Sequence, residues 1–358
     1  MPSLKEIKGR INSISSTLAI TSAMKMVAAA KLQKAQMAIQ NMLPYERRLH
    51  SMLIDLMGAM NISAAASEDG SVRGSGSAER GFDQSGDRLS LSNRHDLAGM
   101  DGAYSLMAQR EVRKVAIVAF ASNSSLCGAF NSNAIREATA VINEYRASGL
   151  GDADITVYSV GRKMAEAMKK LGFPSPADFT KMSDSPSYDA ASALAQELFD
   201  GFVSGRFDKV ELVYNHYKST SSQPTTRQTY LPLSLADATA DLQVGKIADS
   251  ASESDTNRGA EPVGAPVVRQ GSPTTEDLIV EPSKEELIAT LLPKVVRLRV
   301  FTTLLDSTAA EQAARTVAMQ LATDNGNDLL QELTLEYNKG RQQKITSEIL
   351  DIVGGSLQ

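Results

Sequence analysis

The sequence contains no tryptophan, a single cysteine and, at 5%, few aromatic residues. Each shortage excludes something. One cysteine, Cys127, leaves no internal disulfide framework. Sparse aromatics fit helix-rich packing of Ala, Leu and Met better than a large β-sandwich. No run of about 18 apolar residues occurs, so no membrane-spanning helix and no direct membrane insertion are expected. The opening Met1-Pro2-Ser3-Leu4-Lys5 has no apolar signal-peptide core, which predicts a cytoplasmic product.

Catalytic signatures are also missing. After the apolar run Val115–Phe120 comes Ser122-Asn123-Ser124-Ser125-Leu126-Cys127-Gly128, not G-x-G-x-x-G. No G-x-x-x-x-G-K-[ST] supplies a lysine and hydroxyl for phosphate and magnesium. A G-x-S-x-G elbow is absent, and His50, His95 and His216 fall in a helix, an insertion and a strand end. No His, Cys and carboxylate group has metal-ligand spacing. We therefore expect no catalytic residues, no cofactor and no metal. Cys127 reads as a small packing residue beside Gly128, and His216 as a satisfied surface residue.

What the chain does have is two long helical ends. From Leu4 the apolar positions fall at Ile7, Ile11, Ile14, Leu18, Ala28, Leu32, Ala35, Ile39 and Met42, the 3,4 spacing of a coiled-coil seam. Residues 1–61 form this first shaft helix, with Pro44 expected to bend it or end its first section. Residues 283–358 form the last one, launched by Ser283 and Glu286 at capping-box spacing. Pro293 should kink it, and Gly326 and Gly340 are weak points. Two terminal stripes with no other partner should pair with each other.

Between the ends, residues 111–235 read as an α/β base domain. Strands are expected at Val115–Phe120, Ile155–Val160, Val210–Tyr214 and Gln228–Leu233. Helices are expected from about Asn131 to Tyr145, from Gly161 to Lys170 and over Tyr188–Val203. This alternation predicts a mostly parallel, three-layer sheet. The fold class is thus α/β: an antiparallel coiled coil of long N- and C-terminal helices plus a Rossmann-like three-layer α/β domain. Residues 62–110 are Gly- and Ser-rich with mixed charge and read as a flexible insertion, with a short helix over Asp96–Gln109. Residues 236–282 carry nine acids against three bases and read as an acidic flexible insertion. The first helix carries eight bases against three acids, dispersed and without interleaved aromatics, so no nucleic acid is expected.

Two residues interrupt the helical stripes. Lys25, between Met24 and Met26, stands where the seam wants an apolar side chain. It either snorkels out of a local register shift or meets a partner. Arg341 lies in the row Leu333, Tyr337, Arg341, Ile345, Ile349, where a guanidinium calls for a carboxylate that another protein could supply. An α/β enzyme with a helical arm and a self-pairing coiled-coil scaffold are the two other readings of this pattern.

These residues carry a specific resemblance. IKGRINSISSTLAITSAMKMVAAAKLQKAQ (Ile7–Gln36), LCGAFN (Leu126–Asn131), AEQAARTVAMQLATDNGNDL (Ala310–Leu329) and LEYNKGRQQKITSEILDIVGG (Leu335–Gly355) resemble the gamma subunit family of F-type rotary ATP synthases. The resemblance implies a non-catalytic central rotor shaft inside a ring of three α and three β subunits. Its base would meet an epsilon-type subunit and the membrane c-ring, on the cytoplasmic side of the bacterial inner membrane as a peripheral subunit. It implies β-subunit contacts at Met24, Lys25, Arg341, Gln342, Thr346 and Glu348. Lys25 replaces a residue that is often acidic in the family, and Gly340 replaces the usual Ala.

Overall fold

The computed structural model describes residues 3–59, 106, 110–233 and 284–355. The Asp96–Gln109 helix, the Ser283 cap and the acidic insertion fall wholly or almost wholly outside those residues. Helix α1 (Leu4–Ala59) leads into a domain of β1 (Val115–Phe120), α2 (Phe130–Ala147), β2 (Ile155–Val160), α3 (Arg162–Lys170), α4 (Thr180–Asp184), α5 (Tyr188–Val203), β3 (Lys209–Asn215) and β4 (Thr225–Leu231). Helix α6 (Lys284–Gly355) follows. The sheet order is β2-β1-β3-β4, with β1 parallel to β2 and β3 and with β4 antiparallel to β3. Strand β4 starts three residues before its expected onset, because Thr225 and Thr226 extend the ladder opposite Asn215 and Tyr214. It ends before Pro232, which has no N–H to offer. The five-residue α4 is too short and too polar to show helical periodicity, although it buries Met182.

All six residues of β1 are buried, so both sheet faces are covered. Val115, Ile117 and Ala119 face α2 and α3, packing with Ala138, Val141, Met164 and Met168. Ala116, Val118 and Phe120 face the opposite layer. There Leu194 and Leu198 of α5 meet Leu292 and Val296 of α6 and Leu49 and Leu53 of α1. Both terminal helices are thereby rooted in the core of the domain, where each fully buried aliphatic side chain contributes roughly 1.5–3 kcal/mol. Rooting also explains why neither proline ends its helix. Pro44 and Pro293 each remove one backbone hydrogen bond, but Leu49, Leu53, Leu292 and Val295 are fixed by tertiary packing on either side.

Above the root, α1 and α6 run antiparallel. Leu32 and Ala35 pack on Ala313 and Ala309, Thr323 donates to Thr21 across the seam (3.1 Å), and Leu18 and Leu4 lie against Gly326 and Gly340. Every 3,4 position of α1 from Leu4 to Leu56 is buried or half-buried, Lys25 included. The seam therefore passes through Lys25 without a register shift.

Candidate functional site

The site is built along α6, whose surroundings change in three steps. From Ile288 to Ala313 it is buried on most sides. From Met319 to Gly340 the covered residues narrow to a stripe at Met319, Thr323, Gly326, Leu330, Leu333, Tyr337 and Gly340, with Gln320 beside its start. Leu4, the first residue of α1, sits against Gly340, so the fifteen residues Arg341–Gly355 extend past the start of α1. At 1.5 Å per residue this tip is roughly 22 Å long.

Among the described residues the tip is exposed throughout, and it is not polar: Ile345 is 46%, Ile349 55% and Ile352 71% exposed. Helical geometry places Arg341, Ile345, Glu348 and Ile352 on one face, with Gln342, Thr346, Ile349 and Val353 beside them. Polar side chains thus alternate with branched apolar ones on one side of the tip. Thr346 returns its hydroxyl to the Gln342 carbonyl (2.9 Å), and Glu348 makes only an exposed pair with Lys344 (3.7 Å). Among the described residues Arg341 has no carboxylate partner.

Met24 and Lys25 lie elsewhere, roughly 30 Å down the shaft from Arg341 by helical rise. Met24 is exposed while Lys25 is half-buried on the seam. The structure thus groups four of the six expected contact residues at the tip and leaves two at a separate level. Beside them, Met26 and two apolar residues not singled out in the sequence, Ile20 and Val27, are 65%, 60% and 57% exposed on the outer side of α1. Being apolar yet off the 3,4 seam is the signal that could have found them.

At the carboxyl ends of the parallel strands, where open α/β sheets usually bind ligands, α6 packs across the sheet and leaves a shallow cleft of about 190 Å³ lined by Cys127, Phe130, Ala314 and Leu321. Ala310 and Ala314 pack on the cluster of Cys127 and Phe130 beyond β1, which makes Cys127 the packing residue expected of it. At the end of β2, Gly161 (φ 96°) lies so close to the Ala121 carbonyl that a Cβ would fall 2.0 Å from it; its freedom serves backbone packing. The turn itself is tied down. Asn123 accepts from the Arg162 N–H (2.8 Å), and Arg315 of α6 donates to Ser124 (2.7 Å) and to Glu311 (2.7 Å). Burial pushes the Glu311 carboxyl above its ordinary range, against the pull of Arg315.

Beyond β3, Asp306 of α6 accepts from the Tyr217 N–H (2.9 Å) and pairs with His216 Nδ1 (2.6 Å). Asp306 raises the His216 pKa against burial and Lys218. A raised folded-state value means the contribution is complete below the ordinary pKa of 6.5 and fades as pH rises through the raised value. His216→Gln should therefore flatten the decline in melting temperature of the full chain above pH 6.5, read by circular dichroism.

A long antiparallel two-helix shaft rooted in an α/β base, with α6 packed across the ends of the parallel strands and continuing past the start of α1, defines a stalk protein. The family model described as ATP synthase matches residues 3–357, and the chain belongs to the ATP synthase gamma chain family. It is 47% identical to the ATP synthase gamma chain of Phocaeicola vulgatus, covering 100% of both chains, and 35% identical to that of Flavobacterium psychrophilum, covering 99% and 98%. A Euglena gracilis mitochondrial ATP synthase structure of OSCP, F1 and c-ring contains a similar chain at 19% identity and a TM-score of 0.51, covering 98% of this chain and 92% of that one. That likeness concerns the fold.

Proposed function

We propose that this chain is the central rotor shaft of an F-type ATP synthase. It couples ion flow through a membrane rotor ring to ATP synthesis and hydrolysis at β-subunit sites, and it carries out no chemistry itself. The observation that carries this reading is the shaft that narrows from a rooted helix pair to a lone tip with exposed isoleucines. A single helix of that composition is stable only when surrounded, and a ring of α and β subunits would surround it. The tip residues Arg341, Gln342, Thr346 and Glu348, and Met24 and Lys25 at the lower level, are the proposed β contacts. The base domain would face the epsilon-type subunit and the c-ring on the cytoplasmic side of the bacterial inner membrane.

The absent phosphate and nucleophile motifs weigh against the enzyme reading, and the α1 seam that a parallel homodimer would use is paired with α6. Co-expression with α and β subunits and native mass spectrometry should give one copy per three α–β pairs, with ATPase activity in the assembly; a free monomer would overturn the reading. Arg341→Ala should cut coupled ATP synthesis about ten- to a hundredfold, since a charge-assisted hydrogen bond contributes about 1.5–3 kcal/mol. The isolated chain should change by less than about 0.5 kcal/mol, because Arg341 is exposed.

A further inference from the structure

Apolar packing against the larger core holds α6 in the base domain as far as Leu304. Directional bonds accompany it, the Tyr230 hydroxyl of β4 donating to the Val296 carbonyl (2.9 Å) and Arg297 to Gln196 of α5 (2.6 Å). Beyond Leu304, side-chain bonds reach both shaft helices. Asp306, whose side chain is only 18% exposed, takes the Tyr217 N–H on one carboxylate oxygen and His216 on the other. Tyr217 follows the end of β3, and its hydroxyl accepts from Gln36 of α1 (2.7 Å). Its ring packs between two clusters, one with Leu32, Ala309 and Ala313 and the other with Cys127, Phe130 and Ala310. One residue continuous with the sheet is therefore bonded to both shaft helices. Nine residues further up α6, Arg315 makes a second such bond to Ser124, beyond the end of β1.

Hydrophobic contact resists separation of two surfaces but is non-directional, so it opposes sliding weakly. Hydrogen bonds fail within a few tenths of an ångström of stretch or a modest change of angle. Twisting the shaft against the base is a sliding load across this interface. Bonds from Tyr217 to α1 and to α6 lie on different helices, so rotation in either sense must strain one of them.

We propose that Asp306, with Tyr217 and Gln36, is the positioning joint that fixes the angle of the shaft relative to the base domain and sets the torsional stiffness between them. This rests on the rotor reading. The test uses the assembled complex of this chain with its α and β subunits, immobilised through the ring and stalled. A bead is attached through Lys170→Cys, an exposed site at the end of α3, and its angular fluctuations are recorded. Asp306→Ala should at least double the angular variance, Tyr217→Phe should raise it less, and Asp306→Asn, which keeps an acceptor, should restore part of the stiffness. ATP hydrolysis by the same complexes should stay at the wild-type rate, which a general loss of folding would not allow. Wild-type variance in both Asp306→Ala and Tyr217→Phe, in complexes whose wild-type parent turns, would overturn the joint alone. Failure of the wild-type chain to assemble or turn would overturn the rotor reading instead. Tyr217→Phe removes a single hydroxyl, so it decides the question even if Asp306→Ala does not fold.

Discussion

Glu211→Ala is expected to destabilise the chain by about 3–5 kcal/mol, the usual result of removing one partner from a buried ion pair. Glu211 lies in β3, 1% exposed, and faces the layer that holds α2. It accepts from Arg227 of β4 at 2.7 and 3.1 Å and from the Tyr145 hydroxyl at 2.6 Å, and it pairs with Lys209 at 2.7 Å. Arg227 also reaches Glu144. Burial alone would push the Glu211 carboxyl upward, yet the hydrogen bonds from Arg227, Lys209 and Tyr145 hold it below its ordinary range. Deleting it leaves two cations and a phenol without their shared acceptor. Urea unfolding of the full chain measures the loss; a change under 1 kcal/mol would show that the cations reach water. Because the folded value is depressed, this contribution is present above the ordinary value of 4.5 and is lost as pH falls through the folded value.

The second large effect concerns the glycines of the shaft. A Cβ on Gly326 would meet Leu18 Cδ2 at 2.6 Å and Cγ at 3.2 Å, while one on Gly340 would meet Leu4 Cδ2 at 3.1 Å. Leu4 and Leu18 are two heptads apart, as are Gly326 and Gly340, so each leucine drops into a hole where the facing helix has no side chain. Gly326→Leu should force the helices apart and cost about 1–3 kcal/mol or more, the usual effect of overpacking. At Gly340→Ala a small shift of one methyl is set against about 1 kcal/mol of helix propensity, so near neutrality is expected. Hydrogen exchange over residues 4–25 reads both. Equal protection in Gly326→Leu and the wild type would refute the leucine-in-hole packing.

Those glycines also show where sequence reasoning stopped. As isolated letters in a helix, Gly326 and Gly340 look like weak points, because propensity is a property of one helix. Their role depends on Leu18 and Leu4, more than 300 positions away. The α1 seam was legible because its period repeats over a dozen turns, and Val115–Phe120 because a run buried on both faces has few alternatives. The α6 stripe was legible only in outline, because Thr323, Gly326, Tyr337 and Gly340 occupy seam positions that an apolar pattern does not mark. The joint at Asp306 was illegible for the same reason: His216 read as a satisfied surface residue, and it is indeed 43% exposed and paired, but its partner is 90 residues on. Lys25, by contrast, gave a correct alarm, since a lysine does sit on a seam that never shifts.

The antiparallel seam has a consequence for biosynthesis. It joins Leu4 to Gly340, so α1 leaves the ribosome long before the segment that covers it exists. At roughly 5–20 residues per second the interval is on the order of tens of seconds. Throughout it, Ile7 and Ala28, both buried in the finished molecule, wait for the stretch of α6 that runs beside them. The sheet and its intervening helices, complete by Leu231, have that time to fold and form the socket into which α6 inserts. The shaft is then the last part of the molecule to form, and until it does the nascent chain carries a long apolar stripe that a chaperone or a waiting subunit must cover.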